Sequence, residues 1–268
     1  MRLTFLGVLL LAGCATDEFS YDDAGPVDGG HPDAPVDVDV PDQAADAIAD
    51  AADAADAAIV IPPLDCTTLK GPHFCSDFEE AAFPNAPLAP LPPSNGSVTR
   101  GTTSSYSPAH SVESTLIASN NASSAELAFT YADPKTQDHF ILSFAFRVNV
   151  LTEDARIATF SFDGVGPGAC QYIVILSPPQ TVTLIVKTPT PTTSSYAMGS
   201  YSPLKWHHVE LDMSVLALTG VTATLDGVSI TAPSAGVATA TTRDVAIGLR
   251  RSVGGQSATV LFDDLLLR

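Results

Sequence analysis

Phe140-Ile141-Leu142-Ser143-Phe144-Ala145-Phe146-Arg147-Val148-Asn149-Val150 is the stretch that decides the fold. Successive side chains of a strand point to opposite faces. Phe140, Leu142, Phe144, Phe146, Val148 and Val150 therefore share one face, and Ser143, Arg147 and Asn149 lie on the other. Large apolar residues at period two, with polar residues between them, predict a strand with one buried face.

The flanking chain repeats the pattern. Arg156 to Asp163 alternates through Ala158, Phe160 and Phe162, while Tyr172 to Leu176 and Val182 to Val186 flank the turn Ser177-Pro178-Pro179-Gln180. Val221 to Leu225 meets Val228 to Ile230 across Asp226-Gly227, a dipeptide that tolerates the positive φ of a tight hairpin. A last strand spans Ala258 to Leu267, and no stretch of the region shows a sustained helical period. Short strands separated by turn residues over about two hundred residues predict an all-β fold, a two-sheet antiparallel sandwich occupying 66–268.

The N-terminus reads differently. Arg2 precedes an apolar run from Leu3 to Leu11, followed by Ala12, Gly13 and Cys14. A spanning helix needs about 20 apolar residues, roughly twice this run, so 1–13 is predicted to be a signal peptide. Leu11-Ala12-Gly13-Cys14 resembles the lipobox of bacterial lipoproteins, which implies acylation of Cys14 and anchoring to a membrane. Ala15 follows the cysteine where an aspartate would favour inner-membrane retention. The resemblance thus implies an outer-membrane lipoprotein, periplasmic or exposed at the cell surface.

Residues 14–65 read as a tether. From Ala15 to Asp65 there are thirteen Asp and one Glu with no Lys or Arg, which is 14 of the 18 net negative charges of the chain. Such a segment has too few large apolar side chains to offset ordering entropy of about 1–2 kcal/mol per residue, and its charges repel. It is expected to be disordered, with a stretched reach on the order of 170 Å at about 3.3 Å per residue. Aspartates at 46, 50, 53 and 56 stack without cations, which weakens a helix over Ala44 to Ala58, and they lack the glycine turns of a calcium loop. The remainder, 66–268, holds sixteen acids against eleven bases, a net of −5, and no basic patch argues for nucleic acid.

Cys66 and Cys75, with eight residues between them at the entry to the domain, are expected to pair in an oxidising compartment, with Cys170 as the competing partner for either.

Three local patterns carry a resemblance: Asp77-Phe78-Glu79 at the first strand, Trp206-His207-His208-Val209-Glu210-Leu211 followed by Leu225-Asp226-Gly227, and Phe262-Asp263-Asp264-Leu265 at the end. Together they resemble concanavalin A-like sandwiches of the laminin-G type, which implies a jelly roll over most of 74–268. Members of that superfamily include sugar binders, adhesion modules and hydrolases, so the resemblance speaks for fold before function. Its glycosidases need paired carboxylates. Glu210-Leu211-Asp212-Met213 is the near match, but Ser214 and Val215 follow where the glucanase-like members carry a third acid. No catalytic residue is assigned and glycosidase activity is not expected.

Alternation from Trp206 places Trp206, His208, Glu210 and Asp212 on one face and His207, Val209, Leu211 and Met213 on the other. An indole for stacking with carboxylates and an imidazole beside it suits a sugar ring, whereas a lone tryptophan also suits burial for its apolar area. Glu79 and Asp263 resemble positions at which many jelly rolls join first and last strands through a structural calcium, for which oxygen ligands are apt. There is no Gly-x-Ser-x-Gly elbow, phosphate loop or zinc-spaced His pair. The expected function is a tethered, non-catalytic binding module, for a glycan before a surface protein, with a structural envelope lipoprotein as the alternative.

Overall fold

The computed structural model describes residues 62–69, 74–81, 83–84, 86–107, 109–132, 139–162, 170–188, 192–214, 220–233 and 242–268. The signal peptide, Cys14 and the tether as far as residue 61 lie outside them.

Alternating sequence becomes strand throughout. In chain order the strands are β1 (Phe74–Ser76), β2 (Ala89–Pro90), β3 (Gly96–Gly101), β4 (Ser111–Leu116) and β5 (Ser123–Ala132). The central five are β6 (His139–Val150), β7 (Ala155–Phe162), β8 (Cys170–Ser177), β9 (Thr181–Lys187) and β10 (Thr193–Ser200). The last are β11 (Trp206–Ser214), β12 (Val221–Leu225), β13 (Val228–Ala232), β14 (Thr242–Arg251) and β15 (Ala258–Leu267). No helix occurs among the described residues.

These strands form two antiparallel sheets. One runs β13-β12-β11-β6-β15-β4-β3 with β1 added against β15, and the other runs β10-β9-β8-β7-β14-β5-β2. The inward faces meet in one core. Phe140, Leu142, Phe144 and Phe146 of β6, Val209, Leu211 and Met213 of β11, and Phe262 of β15 oppose Phe160, Tyr172, Val174, Val245 and Ile247 of the second sheet. Phe140 meets Phe160 at 6.0 Å between ring centroids, and Phe74 meets Phe129 at 4.6 Å, both across the sheets. Each such buried side chain contributes about 1.5–3 kcal/mol relative to exposure.

Polar chemistry joins the sheets at one buried point. Ser114 of β4 is fully buried; its hydroxyl donates to the Ala125 carbonyl at 2.6 Å and accepts the Leu249 N–H at 2.9 Å, both in the other sheet. Beside it Gly248 takes φ +127°, and a Cβ there would collide with the Ala125 carbonyl oxygen.

The disulfide expected between Cys66 and Cys75 is present, with Cα atoms 5.7 Å apart, and Cys170 lies buried in the core outside it. The β8–β9 and β12–β13 hairpins form at their expected turns, the latter with φ 49° at Asp226 and 81° at Gly227.

Three details correct the sequence reading. Val150 is 47% exposed, because it is the last residue of β6 and pairs Thr259 beyond a register shift. Ser143, expected on an open face, is buried at 5%. Cys75, Leu266 and Ser143 are lateral neighbours on that face, and the disulfide draws the segment at Cys66 against it. Asp77-Phe78-Glu79 follows the first strand instead of lying in it. Ser76 Oγ accepts the Phe78 N–H and Asp77 Oδ1 accepts the Glu79 N–H, both at 3.2 Å, and Phe78 turns the chain with φ 58°.

Candidate functional site

In antiparallel sheets directly opposite residues share a face. Trp206 pairs Arg147, His208 pairs Ala145, Glu210 pairs Ser143 and Thr224, and Asp212 pairs Ile141 and Thr222. The expected row Trp206, His208, Glu210 and Asp212 therefore exists, on the face of the first sheet turned away from the core, with every member half-buried. Trp206 takes no part in the core cluster. Its alternates His207, Val209, Leu211 and Met213 are buried on the inner side.

The fold adds residues to this row that sequence reasoning missed. Tyr106, between β3 and β4, forms a T-shaped pair with Trp206, centroids 6.0 Å apart and planes at 63°. Arg147 stands beside Trp206 and donates to Ser104 Oγ, and Ser111 Oγ donates to the Ser104 carbonyl at 2.6 Å. His139 reaches Asp212 with Nε2 to Oδ1 at 2.5 Å, at the far end of the row. Tyr106 lies a hundred residues from Trp206 and in no strand, so nothing local marks it.

Asp226 explains the spacing of the Trp-His-His and Asp-Gly patterns. Its Oδ2 lies 2.6 Å from His207 Nδ1, its Oδ1 accepts the His208 N–H at 2.8 Å, and its own N–H donates to the His208 carbonyl at 2.9 Å. His207 Nε2 lies against the Ser202 backbone, 2.9 Å from its nitrogen and 3.1 Å from its carbonyl oxygen. The hairpin turn is thus locked to the start of β11, and His207 packs by Phe146 and Tyr201. Burial alone would raise the Asp226 carboxyl, but the bonds from His207 and His208 hold it below its usual value. Burial lowers His208 against the pull of Asp226, which favours a neutral imidazole on the outer face.

The two carboxylates expected at a calcium site have other occupations. Glu79 Oε1 accepts the His110 N–H at 2.6 Å and its Oε2 lies 2.7 Å from His110 Nδ1. Asp263, fully buried, accepts the N–H groups of Tyr106 at 2.7 Å, Ser107 at 3.1 Å and Asp264 at 2.9 Å, and the Ser107 hydroxyl at 3.2 Å. Among the described residues no group of three or more His, Cys, Asp or Glu is placed to hold a metal.

Asp263 instead anchors the segment that carries Tyr106. It sits at a bulge of β15, where Asp264 takes φ 52° and the partner on one edge changes from β4 to β1. Asp264 Oδ2 accepts the Leu64 N–H at 2.7 Å, which ties the entry to the domain to β15. Burial, with the neighbouring charge of Asp264, pushes Asp263 up to about 7 against the pull of the backbone N–H groups. Burial also raises Asp264.

No protein-family model matches the chain, and no curated protein matches it. Solved structures do match by shape. An alginate lyase from Aplysia kurodai aligns with TM-score 0.50 and 8% identity, over 64% of this chain and 86% of that one. An alginate lyase from Pseudomonas aeruginosa gives TM-score 0.46 and 16% identity over 59% and 82% of the two chains. A carbohydrate esterase from the Shiga toxin-encoding bacteriophage phi24B gives 0.45 and 14% over 67% and 88%. At such identities the likeness is one of fold. The two antiparallel sheets form a jelly-roll sandwich.

Proposed function

We propose that this protein is a membrane-anchored, extracytoplasmic and non-catalytic binding module that takes a glycan on the Trp206 face. The observation that carries the reading is the placement of the only tryptophan: half-buried, outside the core, in a T-shaped pair with Tyr106 and at the head of a row of His208, Glu210 and Asp212. An aromatic on an outer face stacks on a sugar's C–H surface, and the adjacent carboxylates accept hydroxyl hydrogens. Anchoring through Cys14 rests on Leu11-Ala12-Gly13-Cys14 and the acidic tether, which would hold the sandwich clear of lipid.

Because Trp206 is the sole indole, its fluorescence reports the site directly. Titration with soluble polysaccharides is expected to blue-shift the emission and protect it from acrylamide for at least one glycan, with retention lost in Trp206→Ala and no oligosaccharide released. A signal unmoved by every glycan, with Trp206→Ala merely less stable, would transfer the assignment to a structural envelope protein in which Trp206 only seats the Tyr106 segment. Labelled palmitate incorporated by the wild type and not by Cys14→Ser checks the anchor.

A further inference from the structure

The first sheet ends at β13, and that edge is built unlike the others. Val228–Ala232 reads Val-Ser-Ile-Thr-Ala and pairs β12 along its whole length without a register shift. Unpaired sheet edges are ordinarily blunted by charge, proline, bulges or brevity. β3 carries Arg100 between terminal glycines, and β2 is two residues ending in Pro90. β10 is bulged between Ala197 and Gly199, and β1 is three residues tied by the disulfide at Cys75. β13 has none of these devices. β10, which lies beside it in the other sheet, shares with it the absence of Asp, Glu, Lys and Arg. On a domain of net negative charge this flank is neutral, so two copies of the chain can approach there without repulsion.

The hairpin fixes which backbone groups the edge leaves open. The Asp226 N–H donates to the His208 carbonyl of β11, so Thr224 and Thr222 turn their backbone groups to β11 and Leu225, Ala223 and Val221 turn theirs to β13. Their partners Val228, Ile230 and Ala232 spend their N–H and C=O groups on that pairing. Ser229 and Thr231 therefore point theirs outward, and no described residue takes them. Both residues are exposed, as is Val228 at 63%. The side chains alternate as well. Ile230 packs on the core with Val228 and Ala232 on its side, while Ser229 Oγ lies 3.1 Å from Thr224 Oγ1 on the outer face.

We propose that β13 pairs antiparallel with β13 of a second copy of this chain, about a two-fold axis at Ile230. The open groups themselves select this register, because it is the one in which both open residues of each copy meet open residues of the other. Ser229 then stands opposite the partner's Thr231 and Thr231 opposite the partner's Ser229, and each such exchange closes two hydrogen bonds. Ile230 meets the partner's Ile230 in a non-hydrogen-bonded pair with Cα atoms about 4.5 Å apart, and Val228 is covered by the partner's Ala232. A slip of one residue would set apolar side chains against the outer face. The contact is isologous, the same strand on both sides, and so closes at two copies. A short strand buries less than the roughly 800 Å² per partner of a stable complex, so the pair is weak in dilute solution and forms where copies are concentrated. It joins the outer faces of the two first sheets, with β11 and its copy about 24 Å apart at ~4.8 Å per strand. The pairing itself does not rest on the glycan reading.

The test is mild oxidation of membranes from cells expressing the full-length chain, read as dimer on non-reducing gels. Ile230→Cys places two thiols within disulfide reach across the axis, whereas Val228→Cys leaves them about 14 Å apart. Dimer is expected in Ile230→Cys at least about tenfold above Val228→Cys and above the wild type, which reports any background from the native cysteines. Thr231→Pro in the Ile230→Cys background removes an outward N–H and no bond to β12, so it should cut the dimer about tenfold or more while the melting temperature holds. The wild type supplies a second readout. Amide exchange at Ser229 and Thr231 should slow at least about tenfold when the detergent-solubilised protein is concentrated roughly a hundredfold. Equal dimer in Ile230→Cys and Val228→Cys, dimer that survives Thr231→Pro, adducts with another protein in place of dimer, or exchange at Ser229 and Thr231 that ignores concentration would each overturn the assignment.

Discussion

Replacing Ser114 by alanine removes a single oxygen from the centre of the molecule. That oxygen stands between the Leu249 N–H and the Ala125 carbonyl, at 2.9 and 2.6 Å, in a site with no solvent exposure. Two intramolecular hydrogen bonds contribute about 1 kcal/mol each, and a buried N–H left without an acceptor costs about 1–3 kcal/mol more. The expected loss is therefore about 3–5 kcal/mol. For a domain of about two hundred residues each kcal/mol lowers the melting temperature by roughly 2–4 °C, so a fall on the order of 10 °C is expected. Urea unfolding followed by circular dichroism, with Ser114→Ala beside the wild type, measures it. Leu249 and Ala125 are themselves cross-strand partners. A loss below about 0.5 kcal/mol would mean that they close on each other once the hydroxyl is gone, and the inter-sheet bridge would carry no stability.

Asp226→Ala removes the acceptor of both His207 Nδ1 and the His208 N–H; because the carboxylate is 38% exposed, a loss of about 1–3 kcal/mol is expected in denaturant melts. Asp263 and Asp264 are both raised on folding. The native state therefore holds more protons than the unfolded chain between about pH 4, the unfolded aspartate value, and about 7, and stability falls as pH rises through that window. Melting temperatures at pH 5 should exceed those at pH 8, and Asp263→Asn should flatten the difference while destabilising the 102–110 segment it anchors. Removing both Cys66 and Cys75 as serines should cost about 2–3 kcal/mol for a short loop, read as a lower urea midpoint, without affecting Cys170 in the core.

The strands that the sequence revealed are those whose local pattern is dictated by burial on one side. β6, β8, β9, β12 and β15 fell where period two and turn residues put them. β5 and β14 gave no such signal, though they lie side by side in the second sheet. Ser123–Ala132 mixes small and polar residues, and β14 carries Gly248 and three arginines, two of which, Arg243 and Arg251, are buried on the side of Val245 and Leu249. Alternation likewise placed Trp206, His208, Glu210 and Asp212 on one face, since period two is a property of the strand alone.

Sequence by itself thus determined the all-β class, the outward row on β11 and the opposition of His207 to His208, while the structure decided between Cys75 and Cys170 as the partner of Cys66. Tertiary structure decided everything that depends on which strands lie side by side. It brought Tyr106 and Arg147 to Trp206, turned Asp263 and Glu79 toward protein donors, and gathered Glu126, Arg156 and Arg250 from three strands onto one face. The physical reason is that alternation fixes which side of a strand a residue takes, whereas its lateral neighbours follow from sheet order, and sheet order is set by how the whole core closes.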